Sequence, residues 1–340
     1  MYHITEGEIM TRKKVIILIL FIIIFTSAKI YLNQKESANS NTMTKLSSSP
    51  TSTDISKYKK DYKITKEGTY TLSGATTNSI IVNAKNKKIV IKLDNLVIES
   101  QNKPAIKIKN AKSVTLESLK NTTNSLSSTS SKDIIKSNSN MVIEGEGTLE
   151  IAGDTNNQTG INTKKDLLIK TKNISIKQTN LGIKTNNLNI KQTNLYIESN
   201  KGIKSNTLNI NQGNNIVATT GNTEPLDITN EYKVEEGLLL ILSSQKLKLN
   251  PKTNQKIISL KTEKTIKKNH IITITDKNKK EILSFVSNIN CNALLLTKDN
   301  LKPTTYKLYD TKSHTGTLNN IIYENGTPDI KDEIKQIKDK

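Results

Sequence analysis

The chain has 340 residues, 34% of them hydrophobic and 4% aromatic, with no tryptophan and a formal net charge of +20. That apolar content is thin for a conventional globular core and suits a narrow one. Arg12 is the sole arginine among 51 basic residues, which speaks against bidentate phosphate and base-edge recognition, and so against nucleic acid as a partner; Cys291 is the single cysteine, which excludes an intramolecular disulfide and Cys-pair metal sites.

In chain order, Arg12-Lys13-Lys14 precede an unbroken apolar run, Val15 to Phe25, followed by Thr26-Ser27-Ala28. A basic stretch, a short apolar stretch and small residues make a secretory signal, with Met10 an alternative start. Continued through Ile30–Leu32, the same segment reads as an uncleaved membrane anchor with its N-terminus inside. Residues 1–32 are therefore assigned to a signal peptide or N-terminal anchor, and the rest to the extracytoplasmic side, at the cell surface or secreted. No cysteine stands directly after the apolar run, so the segment does not read as a lipoprotein signal. Residues 33–58, rich in Ser, Thr and Asn, form a disordered linker by composition.

Structure is predicted to begin near Tyr62. Ile80-Ile81-Val82, Ile89-Val90-Ile91, Leu96-Val97-Ile98, Ala105-Ile106-Lys107-Ile108 and Val114-Thr115-Leu116 are strand-like runs broken by polar turns. Asn121 to Lys132 reads as a loop. Glu144, Glu146 and Glu150 are placed on one outward strand face. From Gly160 to Ala218 the chain repeats: Gly160, Gly182 and Gly202 each open a unit of three short strands. Ile161, Ile183 and Ile203 form one inward row, with Leu167, Leu188 and Leu208 a second and Ile169, Ile190 and Ile210 a third. Such units bury their apolar faces only when stacked, which is a β-solenoid. Asn162, Lys184 and Lys204 face outward, as does Tyr196, the aromatic of the repeat. Asn173, Asn194 and Asn214 recur as a stacked amide ladder, and Pro225-Leu226 opens a further rung. The solenoid is bounded at 59–243. Residues 244–326 form a β-rich region with a hairpin, Ile271–Thr275 against Ile282–Val286, which caps the open end. Residues 327–340 are a charged tail with helical character.

Thr71-Leu72-Ser73-Gly74, Pro104-Ala105-Ile106, Glu144-Gly145-Glu146-Gly147-Thr148-Leu149, the three Gly-Ile starts and Thr305-Tyr306-Lys307-Leu308-Tyr309 resemble the clostridial-type carbohydrate-binding domain-containing family. The resemblance covers roughly 65–325. It implies an exported right-handed parallel β-helix akin to pectate lyases, calcium binding, and association with polygalacturonate-like acidic polysaccharide without cleavage. The family has Asp before each rung-start Gly; here those positions are Thr159, Leu181 and Lys201, and Asp166 is the one downstream Asp kept. Calcium, which wants several hard oxygens, is thereby put in doubt.

Lys164, Lys184, Lys201, Lys204 and Tyr196 are the candidate carbohydrate contacts, and Asp166 is the candidate metal ligand. Lysines spaced one rung apart suit a polymer with repeating carboxylates; drift to Lys on a solvated face is the bland alternative. A polysaccharide lyase would need a basic Arg, and none lies outside the leader. A hydrolase would need clustered carboxylates, and Asp133, Glu144, Glu146, Glu150, Asp154 and Asp166 read as solvated strand residues. His270 and His314 are isolated. The sequence thus points to a non-catalytic binder of acidic polysaccharide, with a structural or adhesive surface rod as the first alternative and a pectate-lyase-like polysaccharide lyase as the second.

Overall fold

A computed structural model describes residues 52–129, 133–153, 157–245, 247, 251–302 and 304–337. The leader, most of the linker and Asp154 lie outside the described residues. The chain folds as an all-β solenoid of about seven turns, followed by an antiparallel sheet.

Alternation along each short strand drives the coil, because every second side chain enters the bore. Three parallel sheets result. The first stacks Ile80, Ile106, Ile135, Ile161, Ile183, Ile203 and Leu226 in one inward column. The second aligns Leu167, Leu188 and Leu208, with Ile169, Ile190 and Ile210 two residues on. The third carries Ile151, Ile176 and Ile197. These residues are essentially solvent-free and belong to one continuous core. The three rows and the Pro225-Leu226 rung start are as the repeat predicts.

The recurrent glycine answers a lack of space. A Cβ on Gly160 would lie 2.4 Å from Ile176 Cγ2, and one on Gly182 would lie 2.6 Å from Ile197 Cγ2. Each glycine lets the corner of the first sheet close onto an isoleucine of the third. The corners are tied by amides. Asn194 donates to Asn173 Oδ1 at 3.1 Å and accepts from the Asn214 N–H at 3.2 Å, which is the expected ladder. A second ladder runs from Asn206 to Asn186 (2.7 Å) and from Asn186 to Asp166 (2.9 Å).

Several expectations need correction. The fold starts before Tyr62: Thr53–Asp54 pairs with Leu72–Ser73, and Ile55 packs into the bore. Composition alone assigned these residues to the linker. The proposed loop at 121–132 contains a solenoid strand, Thr123–Ser128, with Asn124 and Leu126 buried. Glu144 and Glu150 do not share a face, because the chain bulges at Gly145 and turns from the second sheet to the third. Over its described residues the tail is not helical: Pro328–Ile334 is an edge strand paired to Lys307–His314.

Past Ser243 the chain reverses. Strands Ile257–Ile266 and Cys291–Thr297 extend the last rung antiparallel, so the bore's end is covered. The hairpin Ile271–Thr275 with Glu281–Val286 forms as predicted and sits within a six-stranded sheet. That sheet belongs to a second apolar cluster with Tyr196, Ile216, Leu238, Leu240 and Leu242, the outward residues of the third sheet's last rungs.

Candidate functional site

Outward positions decide which of the three faces can meet a partner. On the second sheet the charged column neutralises itself: Lys92 pairs with Glu117 at 3.3 Å and Lys170 with Glu144 at 2.7 Å. The third sheet's last rungs are covered by the C-terminal region. The first sheet is different. Its outward column reads Lys63, Ile81, Lys107, Lys136, Asn162, Lys184, Lys204 and Asp227, in register from rung to rung.

Neighbouring rungs are ~4.8 Å apart, so Lys184 and Lys204 stand about that far apart at the backbone, while the Asn162 break doubles the interval from Lys136 to Lys184. Lys136 is paired with Asp133 at 3.1 Å, and Lys204 with Asp227 at 2.5 Å. Lys184 is exposed and has no carboxylate within 4 Å among the described residues. Asn162 donates to Asp133 Oδ1 at 2.9 Å, which fixes the carboxylate between two rungs.

Of the predicted contacts, the structure brings Lys184 and Lys204 side by side. Lys201 is exposed three residues upstream on the same strand, opposite Leu181. Lys164 is exposed at the corner where the first sheet ends. Tyr196 lies elsewhere, on the third sheet, and is 3% exposed. Its hydroxyl donates to Glu198 at 2.8 Å and accepts from Asn288, whose amide also reaches Glu198 at 2.8 Å. Burial, with the Glu198 charge adding to it, pushes its phenol well above the ordinary range. It is a latch to the C-terminal region, not a sugar platform. The repeat gave it an outward position, and the region that covers that position lies ninety residues downstream.

Lys63, Lys107 and Lys136 escaped the sequence reading. For Lys107 and Lys136 the signal was the Ile-Lys dipeptide: Ile106-Lys107, Ile135-Lys136, Ile183-Lys184 and Ile203-Lys204 all place Lys outward after an inward Ile, whereas Lys63 follows Tyr62. Asp133 escaped too. It is in register with Thr159, and so heads the column Asp133, Thr159, Leu181, Lys201.

The residues present do not fit the calcium that the resemblance implies. Asp166 Oδ1 is occupied by amide donors from Asn186 and Asn187, at 2.9 and 2.8 Å. Among the described residues no group of three His, Cys, Asp or Glu side chains could hold a metal.

The model of the carbohydrate-binding domain-containing protein family matches residues 58–299. The chain belongs to that family. The match runs from the first rungs through Cys291–Thr297, the strand that closes the bore. No curated protein and no solved structure matches the chain. A carbohydrate-binding role follows from membership, as does a carbohydrate partner.

Proposed function

We propose that this protein is an exported, surface-held, non-catalytic module whose first sheet binds an acidic, polygalacturonate-like polysaccharide. The observation that carries the reading is the outward column of five lysines against two carboxylates, Asp133 and Asp227, on a flat parallel sheet. A solenoid repeats its surface along one axis, as a polymer repeats its charge, so many weak contacts add. Each exposed Lys–carboxylate contact is worth little alone and is screened by salt. Family membership supports carbohydrate as the partner. The charge column supports its being acidic, and the Arg-Lys-Lys and apolar segment at residues 12–25 supports export.

Catalysis is not part of the reading. The lyase chemistry that a parallel β-helix can host needs an arginine base and carboxylate-held cations, and Arg12 is the chain's sole arginine. The test is retention on immobilised polygalacturonate. The wild-type protein is retained at low salt and released by high salt, and the double substitution Lys184→Glu, Lys204→Glu is not retained. Absence of wild-type retention at any ionic strength overturns the proposal.

A further inference from the structure

At the far end of the solenoid a cleft opens between the last rungs and the C-terminal sheet. Its water-accessible volume is about 380 Å³, within the range of small-ligand sites. Asn214 lines it from the solenoid side, Glu281, Tyr323 and Glu324 from the antiparallel sheet, and Lys298 and Asp299 from the turn after the closing strand. A second depression of about 550 Å³ shares Lys298 and Asp299 with it.

The walls are positioned from behind. The His314 ring is wholly out of solvent and stacks on Tyr323, with ring centres 4.4 Å apart. Its Nδ1 accepts from the Gly316 N–H at 2.9 Å, so Nε2 carries the proton and donates to Glu281 at 3.1 Å. That fixes both the tautomer and the carboxylate. Lys298 donates one proton to the Ile282 carbonyl at 3.0 Å, with others to spare. Burial draws its ammonium below the ordinary lysine value, against the pull of Asp299 and Glu281. Asp299 is held by the Gly237 N–H at 3.1 Å and by Gln255 at 2.5 Å.

We propose that this cleft is a second saccharide site, specific for a neutral sugar unit, separate from the lysine column. Three carboxylates against one ammonium repel a uronate. Carboxylates accept from ring hydroxyls, the lysine donates to them, and a half-buried tyrosine backed by His314 offers the apolar patch that sugar C–H groups need. The site does not rest on the reading of the first sheet.

The probes are methyl β-glucoside, methyl β-galactoside, N-acetylglucosamine and their β-1,4-linked dimers, with galacturonic acid as the acidic control. The readout is saturation-transfer NMR on the full chain. At least one neutral sugar shows transfer, and in the Lys184→Glu, Lys204→Glu variant, whose first sheet no longer attracts a uronate, galacturonic acid shows none. Glu281→Gln weakens that binding ~10-fold, as expected for loss of a charged hydrogen-bond acceptor, and Tyr323→Leu abolishes the ring contacts. The Lys184→Glu, Lys204→Glu pair leaves it unchanged, which separates this site from the polygalacturonate face. Should Tyr323→Leu unfold the sheet, Lys298→Met replaces it. The proposal is overturned by no transfer from any neutral sugar, by transfer from galacturonic acid in the Lys184→Glu, Lys204→Glu variant, or by wild-type binding in the cleft variants.

Discussion

Tyr232 sits in the bore of the last rungs, 9% exposed, and its hydroxyl has no hydrogen-bond partner among the described residues. An unpaired buried hydroxyl costs about 1–3 kcal/mol, so Tyr232→Phe should leave stability unchanged or raise it by about 1 kcal/mol, visible as an equal or higher melting temperature. Asp61 shows the opposite case. Burial disfavours its charge, yet the Lys103 ammonium at 2.5 Å and the Ser79 N–H at 3.1 Å outweigh that and hold the carboxyl below its ordinary value. A carboxyl depressed by folding stabilises above its unfolded pKa, and that contribution disappears as pH falls through the folded value. Asp61→Asn should therefore lower the melting temperature at pH 7 and have little effect near pH 2. Equal losses at both pH values would show that the ion pair contributes nothing.

The elements divide into those legible in the sequence and those hidden by chain length. Ile161, Ile183 and Ile203 lie 22 and 20 residues apart, so the eye finds the repeat there. Ile80, Ile106 and Ile135 lie 26 and 29 apart, because the turns at 101–105 and 119–122 take extra residues. The same inward column continues without a fixed period, which is why Lys107 and Lys136 were not aligned with Lys184. The cover on the third sheet had a signal: Leu238 to Leu242 are five consecutive apolar residues without alternation, the mark of a strand buried on both faces. Rung and cover can be tested separately. Ile183→Ala opens a void in the bore between Ile161 and Ile203 and should cost about 2–5 kcal/mol. Tyr196→Phe removes only the latch to Asn288 and Glu198 and should cost about 1–2 kcal/mol. Denaturant titration distinguishes them, and an equal cost would mean that the latch is as deeply built in as the bore.

For the whole molecule, the distribution of charge matters more than its total. A net charge of +20 spread evenly would bind polyanions on every face. The structure spreads it unevenly: the second sheet pairs Lys with Glu along its column, the third is covered at its end, and the first keeps Lys63, Lys107 and Lys184 exposed or half-exposed with no carboxylate within 4 Å among the described residues. Polygalacturonate should therefore be bound along one axis and by charge. Its affinity should fall steeply with ionic strength, since exposed pairs are screened beyond about 8 Å at physiological salt. Because Asp166 Oδ1 already accepts two amides and no group of three His, Cys, Asp or Glu among the described residues could hold a metal, a chelator should change neither that affinity nor the melting temperature. Substitution across the faces isolates the geometry: Lys184→Glu with Lys204→Glu should flatten the salt dependence, whereas reversing Lys92 and Lys170, on the second sheet whose charged column is neutralised by Glu117 and Glu144, should alter it little. If the two pairs prove equivalent, net charge alone drives the binding and the ordered column does not. If chelation weakens binding, a cation bridges polymer and protein through residues other than Asp166.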